Sequence, residues 1–135
     1  MNREEWEVIG WPNFSFDEMA CHETGENEMQ FALMDALQQL RRAMGRPLTV
    51  TSGYRSPEHS IEIEKLRPGT HTTGLAVDLG VAYEIAWRVL SLAPALGFHG
   101  IGIHQTGPVN KRFIHLDMVE GSDAFVRPTV WSYAK

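Results

Sequence analysis

From Glu28 to Met44, apolar residues fall at Met29, Ala32, Leu33, Ala36, Leu37, Leu40, Ala43 and Met44, one face of a helix that Gly45 and Pro47 then end. Nothing else in the chain of 135 residues keeps a period for so long. The remainder breaks into short pieces. "LTVTSG" is rich in β-branched residues and stopped by Gly53, which reads as a strand. Ser56-Pro57 resembles an N-cap with a first-turn proline and predicts a helix from His59 to about Lys65, broken by "RPGT". Next come a strand over Ala76 to Leu79 and a helix over Tyr83 to Leu92 with Ile85, Ala86, Val89 and Leu90 inward, limited by Pro94. Two further strand candidates, "HGIGIH" and "RFIHLDM", flank the polar turn "QTGPVNK". Near the N-terminus, Ser15 with Glu18 matches a capping box and predicts a short helical turn over Phe16 to Ala20. One long helix among short strands joined by turns predicts an α+β fold. The expected architecture is a small, mainly antiparallel sheet packed against two or three helices, in one domain spanning residues 1–135.

Composition narrows the function. With 43% hydrophobic and 21% charged residues, the chain can bury a core without staples. A net charge of -5 leaves no basic surface for nucleic acid. No apolar run approaches the length of a membrane span, so no membrane insertion is expected. The acidic N-terminal stretch, interrupted by Gly10 and Pro12, has no apolar h-region, so the product is expected in the cytoplasm as synthesised. Cys21 is the only cysteine, which excludes an intramolecular disulfide and predicts a small buried side chain. A monomer is expected.

The chemistry gathers around "GTHTTGLAVDLG". His71 and Asp78 lie seven positions apart, a spacing that suits neither one face of a helix nor one face of a strand. It does suit a loop that turns at Gly74 and enters a short strand, so that the two side chains meet only through tertiary folding. In "FIHLDM", alternation sends His115 and Asp117 to one face and Ile114, Leu116 and Met118 to the other. His71, Asp78 and His115 are therefore candidate ligands. Two imidazoles and one carboxylate are a usual catalytic zinc set that leaves a fourth tetrahedral position open.

"TSGYRSPEHS", "THTTGLAVDLG", "GIGIH" and "RFIHLDM", in this order and at these intervals, resemble the zinc D,D-carboxypeptidase and L,D-endopeptidase family of the hedgehog/DD-peptidase fold. The likeness runs from about Phe14 to Tyr133, and "PTVWSY" resembles the ending of phage-encoded members. The resemblance implies a zinc metallopeptidase that cuts peptides of bacterial peptidoglycan, of the kind found among phage endolysins. It implies His71, Asp78 and His115 as the zinc ligands and Arg55 as the group that holds a substrate carboxylate or the developing oxyanion. A guanidinium aimed at charge growing on a scissile carbonyl favours the transition state over the ground state.

One position departs from the family pattern. Many relatives carry an acidic general base three residues before the last histidine ligand, and here that residue is Arg112. Asp117 is a substitute base or a partner that orients a ligand imidazole, and His104 a proton donor or substrate contact. A reading from a different class also stands at this point: a non-catalytic module stabilised by zinc that binds a wall peptide or a protein partner. His22, His59 and His99 are read as structural, and Gly53, Gly74, Gly100 and Gly102 as serving backbone geometry beside the site. Tyr54, Trp131 and Tyr133 line the substrate groove or pack the core.

Overall fold

A computed structural model describes residues 1–65, 67 and 69–133. In chain order the elements are α1 (Arg3–Ile9), α2 (Phe16–Met19), α3 (Phe31–Met44), β1 (Val50–Ser52), α4 (Ser60–Ile63), β2 (Ala76–Leu79), α5 (Tyr83–Leu92), β3 (Gly100–His104), β4 (Phe113–Asp117) and β5 (Thr129–Ser132). The strands form one sheet in the order β1-β2-β4-β3-β5, antiparallel at every pairing except β3 with β5. This is the expected α+β fold with a mainly antiparallel sheet.

Strand alternation splits the sheet into two chemically different faces. Val77 and Leu79 of β2 and Ile114 and Leu116 of β4 are fully buried on one side, in a single apolar cluster with Leu33, Leu37 and Leu40 of α3 and Val89 of α5. Each such side chain withdrawn from water contributes on the order of 1.5–3 kcal/mol. The other face carries Asp78, His115 and Asp117, brought side by side because β4 is paired on both edges. Across the ladders His115 stands opposite Asp78 of β2 and Gly102 of β3.

Several expectations shift, each for a visible reason. Helix α3 starts at Phe31 rather than Glu28, because Gln30 is engaged elsewhere: its amide donates to Gly74 O (2.9 Å) and its side chain to Thr73 O (2.8 Å). Helix α4 is shorter than expected and is capped by His59, whose Nδ1 accepts from the Ile61 amide at 3.1 Å. Ser56 instead closes a turn, its carbonyl accepting from the His59 amide at 2.9 Å. The expected break at "RPGT" includes Pro68, which lies outside the described residues. Helix α1 and strand β5 go beyond the elements expected from the sequence. Helix α1 is nucleated by a reciprocal Asn2/Glu5 capping box and pins Trp6 into the core, where its indole N–H donates to Phe14 O at 2.9 Å. Strand β5 adds to the sheet edge in parallel with β3. No helix among the described residues is long and apolar enough to cross a membrane.

Candidate functional site

The seven-residue gap between His71 and Asp78 is bridged as the loop reading expects. His71 sits in a single 3-10 turn, Thr70–Thr73, that Gly74 closes in the left-handed conformation (φ 74°) before β2 begins. A side chain at Gly74 would run into the Glu28 carbonyl, so both the conformation and the space require glycine. The turn carries His71 back over the strand it precedes, and Asp78 meets it from β2.

The imidazoles are held from behind. His71 Nδ1 donates to Gly53 O at 2.8 Å, which leaves Nε2 facing Asp78 Oδ1 at 3.3 Å. His115 Nδ1 lies 2.9 Å from the same oxygen, and its Nε2 lies 2.7 Å from Asp117 Oδ2. One potential ligand atom from each of His71, Asp78 and His115 thus falls within 4.8 Å of the others. Two neutral-capable nitrogens and one carboxylate oxygen, with the far nitrogen of each ring fixed by a carbonyl or a carboxylate, fit a divalent zinc ion. Burial pushes the Asp78 carboxyl up, but hydrogen bonds with His115 and His71 outweigh it and hold the group well below the usual carboxylate range. Burial pushes His115 down, and its two carboxylate neighbours, Asp117 and Asp78, more than reverse this.

Asp117 is fully buried behind His115. Its Oδ2 faces His115 Nε2 and Arg127 Nη2 (2.8 Å), and its Oδ1 accepts from Arg127 Nε (2.9 Å). Of the two roles open to it, orienting the ligand imidazole is the one this geometry fits. Arg112 points elsewhere: its guanidinium lies 5.2 Å from the Tyr83 ring centroid, and its Nε donates to Gly107 O at 3.1 Å. His104 lies outside the ligand cluster. It sits on β3 opposite Phe113, further along the ladder that pairs Gly102 with His115, and its ring stacks on Phe113 at 5.1 Å.

Arg55 enters through the backbone as well as the side chain. Its amide donates to His71 O at 3.1 Å, tying the SGYRS segment to the His71 turn, and its Nη1 lies 3.0 Å from Glu62 Oε2. Glu62, itself buried, also accepts from the Gly69 amide at 2.8 Å. Arg55 lines a polar groove with His22, Thr51, Ser52, Tyr54 and His59, and Ser52 of that groove pairs with Asp78 in the β1–β2 ladder. Cys21 is buried as expected, His59 Nε2 lies 3.1 Å from Glu23 Oε2, and His99 Nε2 bonds to Val119 O at 2.7 Å.

The wall on the other side is built by β5. A side chain at Gly102 would meet Trp131 Nε1 at 2.6 Å and the Tyr133 hydroxyl at 2.7 Å. The glycine therefore lets both aromatics close down beside His115, whose ring lies 5.3 Å from Trp131. Burial raises the Tyr133 phenol, and the charges of Asp78 and Asp117 add to it, so the hydroxyl stays protonated next to the cluster. Sequence reasoning missed Arg127, an isolated arginine with no motif spacing to mark it.

Two imidazoles held by hydrogen bonds and a carboxylate, with one atom of each converging on one point near a groove lined by an arginine, are a set of side chains able to hold a metal ion. The Peptidase M15 family model matches residues 12–117, and the chain belongs to that family of zinc metallopeptidases. A comparison with curated proteins gave no match.

Proposed function

We propose that this zinc peptidase hydrolyses a peptide bond in bacterial peptidoglycan, as a carboxypeptidase or endopeptidase encoded by a phage or prophage. The observation that carries the reading is the placement of Asp78 Oδ1 between His71 Nε2 and His115 Nδ1, inside the region matched by the family. The peptidoglycan substrate and the phage origin rest on the resemblance of the SGYRS, HxxGxAxD and C-terminal segments to cell-wall peptidases. The site would meet its substrate in the wall, after release or delivery from the cytoplasm.

His71, Asp78 and His115 would hold the zinc ion. Zinc bound there supplies a Lewis acid that polarises the scissile carbonyl and makes water a nucleophile near neutral pH. The chain's own residues do the rest. Gly53 O and Asp117 fix which nitrogen each imidazole offers. Arg55, anchored by Glu62, turns its remaining N–H groups to the groove, where they bind a substrate carboxylate or the oxygen that gains charge as the carbonyl is attacked. His104 and Tyr133 flank the face over which the peptide lies, and serve as substrate contacts on the side opposite Arg55.

Digestion of purified sacculi by wild type and by His71→Ala tests the reading. Soluble peptides with newly freed termini are expected from the wild type only. Equal release from both proteins would remove the claim of metal-dependent cleavage, and activity on other peptides without release from sacculi would remove the proposed substrate.

A further inference from the structure

Arg127 lies ten residues beyond the end of the family match, yet its side chain is only 7% exposed and is spent on the metal site. It approaches Asp117 with two nitrogens, Nε to Oδ1 at 2.9 Å and Nη2 to Oδ2 at 2.8 Å. A two-point guanidinium contact fixes the plane of a carboxylate as well as its position. Asp117 Oδ2 is also the acceptor for His115 Nε2 at 2.7 Å. The rotation of the His115 ring is therefore set by a carboxylate that cannot itself rotate.

Two further observations point the same way. Gly100 on β3 pairs with Asp117, and a side chain there would collide with Asp117 Oδ1 and come within 2.5 Å of Arg127 Nε, so the strand leaves the space that the pair fills. The Arg127 guanidinium also lies 5.1 Å from the Trp131 ring centroid, and Trp131 leans on His115. The same arginine thus braces the imidazole through a carboxylate and through an aromatic ring.

We propose that Arg127 is a positioning residue of the metal centre: by clamping Asp117 it locks His115 so that Nδ1, and not Nε2, is the nitrogen presented to zinc. The inference rests on the reading of His115 as a ligand. Without Arg127, Asp117 would keep only a long bond from the Val119 amide to Oδ1 (3.3 Å) beside its contact with His115, so its plane is no longer fixed at two points and the imidazole is free to tilt.

Zinc affinity of the purified full chain, measured by competition with a chromophoric chelator, tests this without any peptide substrate. Arg127→Gln is expected to bind zinc about 10–100-fold more weakly than wild type, the range seen when a ligand's orienting partner is lost. Arg127→Lys, which keeps the charge but not the two-point contact, is expected to recover only part of that loss. Far-UV circular dichroism checks that the variants remain folded. Imidazole NMR of the zinc-loaded wild type, which needs no variant, is expected to show the His115 proton on Nε2. An Arg127→Gln protein that folds and binds zinc as tightly as wild type would overturn the proposal, as would a wild-type His115 protonated on Nδ1. His115→Ala separates the two levels: if it keeps zinc, the ligand assignment fails, and if it alone loses zinc, only the role of Arg127 fails.

Discussion

Glu62→Gln removes a charge that ties the arginine of the groove to the turn carrying the first ligand. The Glu62 side chain is 1% exposed and accepts from Arg55 Nη1 at 3.0 Å, Lys65 Nζ at 2.9 Å and the Gly69 amide at 2.8 Å. Burial alone would push this carboxyl up, but the Gly69 amide, Lys65 and Arg55 outweigh it and hold it at about 2, against an ordinary 4.5. At 1.36 kcal/mol per pH unit the difference corresponds to about 3 kcal/mol in favour of the ionised folded state. Partial exposure of Lys65 (38%) and Arg55 (21%) lets solvent screen the pair and brings the expected loss in Glu62→Gln to about 2 kcal/mol at neutral pH. Because the folded value is depressed, this contribution is complete above about 4.5, shrinks as the pH falls towards 2, and is absent below it. Urea unfolding of both proteins, run with chelator so that metal release does not intervene, reads the difference directly. The expected result is a gap of about 2 kcal/mol near pH 7 that closes to well under about 1 kcal/mol near pH 2.5. A gap of the same size at both pH values, or none at neutral pH, would show that Glu62 is not held as an anion by these partners.

Gly53→Ala tests the support of His71 without touching a ligand. The added methyl would meet the Met19 carbonyl oxygen at 2.6 Å and must shift the segment whose carbonyl accepts from His71 Nδ1, so zinc affinity measured by chelator competition is expected to fall. Gly102→Ala displaces Trp131 and Tyr133 and is expected to cost about 1–3 kcal/mol in a thermal melt as overpacking, with loss of peptide release. Arg112→Ala is expected to leave zinc affinity and cleavage unchanged, because that side chain is engaged with Tyr83 and Gly107 O. A large loss of either would mean that Arg112 reaches the site.

The cluster of His71, Asp78 and His115 is legible in the sequence because motif order, alternation and residue type agree. His71, Asp78 and His115 are the kinds of residue zinc takes, and period-two alternation in "FIHLDM" places His115 and Asp117 on one face, as β4 does. The pairing of that face is not legible. That Gly100 and Gly102 leave room for Arg127, Trp131 and Tyr133 depends on the β3–β4 register and on β5 joining the sheet in parallel, and neither follows from local pattern. The choice between the two roles of Asp117 likewise depends on Arg127, which reaches the cluster from the loop before β5 and carries no motif of its own. Helix α1 is a different case. Its Asn2/Glu5 capping box is present in the sequence, but so short a helix has too few apolar positions for a period to show, and only the burial of Trp6 against Phe14 explains why it holds. The start of α3 differs from the periodic reading because Gln30 is recruited by the backbone around Gly74, a tertiary contact that no helical periodicity reports.

Anomalous scattering at the zinc edge, from crystals of the zinc-loaded protein, tests the ligand set most directly. One zinc ion is expected at about 2.0–2.2 Å from His71 Nε2, an Asp78 carboxylate oxygen and His115 Nδ1. Zinc at any other set of side chains, or none in crystals grown with the metal, would contradict it.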